Sequence, residues 1–330
     1  MKNNPTSTHH RPNAWQVTRF GLIIGLLGAF LGSCGGAGGS SESTNTTPTE
    51  LQANPTTPWE LFTAGDIAQC NLLRNPNDAQ ADGTARLVAR QLIAAGANSN
   101  VLTLGDNAYA LGASIGYSAC YGPTWGRFMN KTFAIPGNHD YENNGDGIYF
   151  KYFGAKASPD GKDTGYYRID QSGWTVFALS SVTDSSAASA QAVWLRQQLA
   201  TAKPCIAAAW HHARFSSAPD GDNDKMTAIW DILEQAKADI VLQSHEHQYE
   251  RFAPMLSDGT VSTSGGLRSF VVGTGGADLY GHARVRAGSE KQLVTYGVMR
   301  LSLESGKADW RFIDTNDVVQ DQGGFNCRTK

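Results

Sequence analysis

Short apolar runs alternate with helical patterns along the chain from about Trp59 onward. Trp59-Glu60-Leu61-Phe62-Thr63-Ala64 reads as a strand that ends at Gly65-Asp66. Residues 84–95 carry Leu87, Val88, Leu92 and Ile93 at helical spacing. A second strand is expected at 101–104, ending at Gly105-Asp106, and a third at Thr132–Ile135, closed by Pro136-Gly137-Asn138-His139. Runs at 166–169 and 174–179 predict an antiparallel pair joined through Gly173. A helix over 187–200 then precedes a strand at 205–210 that ends at His211-His212. A helix over 226–236 and a strand at 240–242 lead into Ser244-His245-Glu246-His247, with further strands near 269–272, 295–303 and 308–313. No internal repeat is visible.

Composition narrows the class without naming a function. A chain of 330 residues can bury a substantial core, as one large domain or two small ones. A net charge of −3 gives no bulk attraction to nucleic acid or acidic membranes, so no nucleic-acid-binding patch is expected. With 36 glycines and only 17% charged residues, a loop-rich α/β enzyme fits better than a helical bundle.

The N-terminus points outward. Lys2, Arg11 and Arg19 form a basic region ahead of an apolar stretch at 20–31, and Leu31-Gly32-Ser33-Cys34 follows. That stretch is short for a bilayer span, which favours a cleaved signal over residues 1–34. Small residues before a cysteine resemble a bacterial lipobox, which implies a lipid on Cys34 and an exported lipoprotein at the cell envelope. Gly35, in a Gram-negative cell, fits sorting to the outer membrane. Residues 35–58 are rich in Gly, Ser, Thr, Pro and Asn and read as a linker to a domain at 59–330. Cys70, Cys120, Cys205 and Cys327 remain; in an oxidising compartment they predict at least one disulfide, with three pairings open.

The informative pattern lies at the strand ends. Five in succession finish with metal-ligand residue types: Asp66, Asp106, Asn138 with His139, His211 with His212, and His245 with His247. In α/β sheets, ligands bind in the crevice beyond the carboxyl ends of the strands. Each piece alone has a bland reading, as a turn, an Asx loop or a satisfied histidine. Five in order, in five strand-end contexts, do not.

These blocks, Gly65-Asp66, Gly105-Asp106-x-x-Tyr109, Gly137-Asn138-His139-Asp140, His211-His212 and His245-x-His247, resemble those of calcineurin-like metallophosphoesterases. The resemblance covers about 59–315 and implies a four-layer α/β/β/α sandwich of two mixed sheets flanked by helices. Many members place a histidine two residues after the first aspartate, where this chain has Ala68. Purple acid phosphatases also lack that histidine and use a tyrosine three residues after the second aspartate, where Tyr109 stands. The resemblance to that branch implies one metal on Asp66, Asp106, Tyr109 and His247. It places a second on Asp106, Asn138, His211 and His245, with Asp106 bridging. His211 is preferred to His212 because Phe215 completes the family's spacing to an aromatic residue.

A phenolate favours a hard trivalent ion, so the implied cofactors are Fe(III) with a divalent Fe, Zn or Mn. Metal-bound hydroxide would attack phosphorus and His139 would protonate the leaving oxygen, while Asp140 is either a partner for the other ring nitrogen of His139 or a loop-capping carboxylate. His139 and His212 would face the substrate. The expected activity is phosphate monoester hydrolysis by a monomer acting on a small phosphoester. A phosphodiesterase for nucleotides or phospholipid head groups and a non-catalytic surface metal-binding protein are the alternatives. Gly273-Thr274-Gly275-Gly276 reads as a structural turn, His282 as a surface histidine, and Tyr117, Tyr121, Trp125 and Phe128 as core or pocket wall.

Overall fold

A computed structural model describes residues 57–69, 80–109 and 114–329. The expected signal at 1–34, nearly all of the linker at 35–58, and Cys70 lie outside them. Among the described residues, no helix is long and apolar enough to cross a membrane.

The first sheet contains β1 (Trp59–Ala64), β2 (Ser99–Leu104), β3 (Thr132–Ile135), β11 (Gly297–Glu304), β12 (Lys307–Asp314) and β13 (Val319–Asn326), in the order β13-β12-β11-β1-β2-β3. The second contains β4 (Tyr167–Gln171), β5 (Trp174–Ala178), β6 (Cys205–His212), β7 (Ile240–Ser244), β8 (Tyr249–Phe252), β9 (Arg268–Val272) and β10 (Ser289–Leu293), in the order β10-β8-β9-β7-β6-β5-β4. β1, β2 and β3 run parallel, as do β5, β6, β7 and β9. Both sheets are mixed and flanked by helices, as the resemblance implied.

Alternation along single strands builds the layers. Val176 and Ala178 of β5, Ala207 and Ala209 of β6, and Ile240 and Leu242 of β7 pack with Leu61, Val101 and Leu301 of the other sheet. Their neighbours Phe177, Ala208, Trp210 and Val241 join a second cluster. That cluster includes Leu195 of the helix Ala190–Leu199 and Ile229, Trp230 and Leu233 of the helix Thr227–Gln235. Central parallel strands are therefore apolar on both faces, which is why they read as continuous runs rather than as alternating ones.

Several boundaries differ from expectation for identifiable reasons. The first helix starts at Gln80 and buries Leu87, Val88 and Leu92, but Ile93 is 83% exposed because it turns off the buried stripe. β6 extends through both histidines, and its register against β7 slips between Ala209 and His212. A bulge of this kind re-aims the side chains that follow it. β8, β10 and β13 were not anticipated, since YERF, SEKQL and VQDQGGFN lack a clear strand signal. The β4–β5 hairpin closes through Ser172 and Gly173, both at positive φ (48° and 83°), as a tight twisted turn requires. Cys205 pairs with Cys327, fastening the chain after β13 to the start of β6, and Cys120 is also disulfide-bonded.

Candidate metal centre

Parallel strands aim their carboxyl ends the same way, so the residues after β1, β2, β3 and β7 meet those at the end of β6. Three of them sit in strained backbone: Asp66, Asp106 and His245 have φ of 57°, 48° and 73°. Positive φ is uncommon for residues with a Cβ and persists where the surroundings over-determine it. Close approach is the reason here. The peptide N–H of Asp66 donates to the Gly105 carbonyl, and one Asp66 carboxylate oxygen (Oδ2) accepts from the backbone N–H of His245 at 2.8 Å. Gly105 (φ 91°) has no room for a side chain, because a Cβ there would lie 2.7 Å from His211 Nδ1.

His211, His247, Asp66 and Asp106 each have one edge tied to the scaffold and another turned inward. His211 is fully buried; its Nδ1 lies 2.9 Å from the Leu104 carbonyl, which can only accept, so Nδ1 carries the proton. Its Nε2 then faces Asn138 Oδ1 (3.1 Å), His245 Nδ1 (3.1 Å) and Asp106 Oδ2 (3.3 Å). His247 repeats the arrangement. Nδ1 donates to the Asp278 carbonyl at 2.7 Å, and Nε2 faces the Tyr109 hydroxyl (3.0 Å) and Asp66 Oδ1 (3.4 Å). Tyr109 donates to that same Asp66 oxygen at 2.8 Å. Asp106 uses Oδ1 to accept from His139 N, leaving Oδ2 for the centre. All seven predicted ligands thus converge as two adjoining groups, joined by the bond from His245 N to Asp66.

His139 adjoins both groups, with Nε2 3.9 Å from Asp106 Oδ2 and its ring against Tyr109 at 4.7 Å. Of the two roles open to Asp140, the structure gives it the loop-capping one. Its fully buried carboxylate accepts from Gly137 N, Asn107 N, Asn107 Nδ2 and the Tyr117 hydroxyl, so it holds the loop rather than the imidazole. Glu142 takes that place, with Oε2 3.1 Å from His139 Nδ1. The two are three residues apart in the 3₁₀ helix His139–Asn144, where side chains at that spacing eclipse.

His212 stands beside the ligands, its ring 4.4 Å from that of His245 and its Nδ1 2.8 Å from Ser181 Oγ. The Gly273–Gly276 segment is structural, as expected: Gly275 N donates to the Gly65 carbonyl and Ala277 N to that of Asp66. Phe215 is buried between the guanidinium groups of Arg214 and Arg286, 4.5 and 4.4 Å from its ring centre. Tyr117, Tyr121, Trp125 and Phe128 are core.

A family model for the calcineurin-like phosphoesterases matches residues 63–249, more than half of the chain. The chain belongs to that family. It is 30% identical over 145 residues to purple acid phosphatase 23 of Arabidopsis thaliana, covering 38% of this chain and 32% of that protein. It is 28% identical over 170 residues to purple acid phosphatase 21 of the same plant, covering 44% and 39%. The chain therefore spans about a third to two fifths of the length of the curated relatives it matches. Among solved structures, a purple acid phosphatase from yellow lupin (Lupinus luteus) seeds superposes with a TM-score of 0.65 at 16% identity, over 82% of this chain and 54% of that one. GAP50, the anchor in the inner membrane complex of Plasmodium, superposes at 0.60 and 11%, over 83% and 90%. At such identities the likeness is one of fold, and the same fold serves proteins with different descriptions.

The donor set of this calcineurin-like phosphoesterase suits cations. Asp106, His211 and His245 present ligand atoms that all lie within 4.8 Å of one another. Lone pairs facing lone pairs are tolerable only with protons or cations between them. Protons do that work in the metal-free chain. Burial works against charge on His211 and His247, but Asp106 beside the first and Asp66 beside the second outweigh it and lift each to about 9. Burial with the neighbouring imidazole of His211 pushes His245 down, and burial with His211, His245 and Lys225 takes His212 down to about 2. Burial and the Asp66 and Asp106 charges push the Tyr109 phenol well up, so only a strongly Lewis-acidic ion displaces its proton.

A pH signature follows for the metal-free chain. An unfolded histidine titrates near pH ~6.5. His211 and His247 keep protons the unfolded chain loses, so their contribution is complete below that pH and lost as pH rises through about 9. His212 and His245 stay neutral where the unfolded chain gains protons, so theirs is lost as pH falls below it. Denaturant titrations of chelator-treated protein are expected to show stability falling as pH rises from ~6.5 through about 9. Added zinc should flatten the alkaline limb, because cations then replace the protons on His211 and His247.

Sequence reading missed Glu142, Ser181, Ser244 and Tyr280. Ser244 Oγ lies 2.9 Å from His211 Nδ1, and Tyr280 stacks on His247 at 4.8 Å while its hydroxyl donates to the His245 carbonyl. Only Glu142 carried a local signal, its spacing from His139. Glu142→Gln is expected to lower kcat of phosphoester hydrolysis roughly tenfold with little change in KM, read by steady-state kinetics.

Proposed function

We propose that this chain is a binuclear metal-dependent phosphoester hydrolase that acts on monoesters. One observation carries the reading. Histidine nitrogens fixed by backbone carbonyls, two half-engaged carboxylates, an amide oxygen and a phenol converge as two adjoining groups at five strand ends. Asp66, Asp106, Tyr109 and His247 would hold one ion, and Asp106, Asn138, His211 and His245 the other. When bound, the pair supplies Lewis acidity toward the phosphoryl group and toward water. Oxygen and imidazole donors suit Fe(III) at the Tyr109 side with a divalent Fe, Zn or Mn beside it.

The chain's own groups supply the rest. His139, held at Nδ1 by Glu142, delivers a proton from Nε2 to the departing alkoxide. Asp140 fixes the loop that carries Asn138 and His139 through its bonds to Gly137 and Asn107. His212 packs against His245. The domain at 59–330 is proposed to be exported and held to a membrane by a lipid on Cys34, which the basic and apolar N-terminal pattern supports.

Turnover of an aryl phosphomonoester is to be compared with that of the matched bis-aryl diester, using the full chain and Asp106→Asn as blank. A ratio strongly favouring the monoester, lost in the variant, supports the reading. A ratio favouring the diester keeps the centre and moves the function to phosphodiesterase. Metal content without turnover of either supports a non-catalytic metal-binding protein.

A further inference from the structure

Ser181 follows β5 and is fully buried. Its neighbour Ser180 is clamped by the buried Gln191 amide, which accepts from Ser180 N (2.7 Å) and donates to Ser180 O (2.8 Å). The helix Ala190–Leu199 thereby fixes the end of β5. Ser181 Oγ accepts the backbone N–H of His212 at 3.0 Å and lies 2.8 Å from His212 Nδ1. A serine hydroxyl has one hydrogen to donate. Among the described residues, Nδ1 is the acceptor within reach of it. A proton on Nδ1 would leave that hydrogen without an acceptor in a buried place, at the cost an unmade bond carries. Nδ1 therefore presents a lone pair, and the ring proton sits on Nε2. Nε2 has no partner among the described residues, and the ring is flanked by His245 and His211 at 4.4 and 5.1 Å.

We propose that Ser181 is a positioning residue that fixes His212 in its Nε2–H tautomer, aiming a neutral hydrogen-bond donor at a phosphoryl oxygen of the bound substrate. This role presupposes the phosphoester substrate proposed above. It assigns different tasks to His139 and His212, neither of which is a proposed metal ligand. His139 moves a proton, whereas His212 donates a hydrogen bond without giving its proton up. A fixed donor aimed at developing charge costs no reorganisation as the reaction proceeds.

The tautomer is measurable without turnover. Long-range nitrogen–proton NMR spectra of the zinc-loaded full chain, labelled at histidine nitrogen and assigned with His212→Gln, should show the His212 proton on Nε2. Ser181→Ala should release that preference and lower kcat/KM for an aryl phosphate roughly tenfold. In the His212→Gln background, where the amide supplies a donor without help from serine, the same substitution should cost nothing further. A proton on Nδ1 in the wild-type chain overturns the proposal, as does an unchanged tautomer in Ser181→Ala or an equal cost in both backgrounds. Should Ser181→Ala fail to fold, the wild-type tautomer alone decides. Absence of phosphoester turnover in the wild-type chain would remove the substrate from the proposal while leaving the tautomer result intact.

Discussion

Asp106→Asn is expected to lower kcat/KM for a phosphoester by on the order of 10³-fold or more and to leave the fold intact. Asparagine keeps the acceptor at Oδ1 that receives His139 N, so the loop stays in place. The second carboxylate oxygen becomes an amide N–H₂ pointing toward His211 Nε2, 3.3 Å away in the wild-type chain. A donor there opposes a cation on geometric and electrostatic grounds alike. Elemental analysis should show less than the full metal complement, and circular dichroism should be unchanged. Intact turnover in this variant would mean that the converging side chains are not the reacting centre.

Gly137→Ala is expected to do comparable damage by another route. A Cβ at this position would lie 2.1 Å from Asp106 Oδ1 and 2.3 Å from Asp106 N. Backbone cannot retreat, because Gly137 N is itself bonded to the buried Asp140 carboxylate and the Asp106 carbonyl receives Ile67 N. The added methyl group must displace Asp106 or break the loop. Denaturant titration should show a loss of about 3 kcal/mol, at the upper end of what overpacking costs. Turnover should fall with it, since the displaced carboxylate is the one that His139 N holds.

The contrast between these two residues explains what a reader of the chain could see. Strand ends were legible because a buried strand announces itself by composition and a glycine beside a ligand marks close approach. Asp66, Asp106, Asn138, His211, His245 and His247 were found that way, and the structure brings them together. Tyr109 rested on resemblance alone, and its contact with Asp66 and His247 became visible only once β1 and β7 were placed. For Asp140 the sequence leaves two roles open, ring partner or loop cap, and only the bonds to Gly137 and Asn107 choose the second. The residue following a histidine on a helical turn points elsewhere, and the third residue, Glu142, returns to the same side. Ser181 and Ser244 bind histidines 31 and 33 positions away, so no local pattern marks them. Strands β10 and β13 lie at the outer edges of their sheets, where half-exposed positions dilute the apolar signal that identifies central strands. The Cys205–Cys327 pairing links residues 122 positions apart and required the topology.

Elemental analysis of the purified full chain, paired with aryl phosphate turnover before and after exhaustive chelation, tests the central claim most directly. The arrangement at the strand ends predicts two metal ions per chain, turnover that disappears when they are removed, and recovery when metal is restored. A chain that retains full turnover after the ions are gone, or that binds none at all, would contradict it.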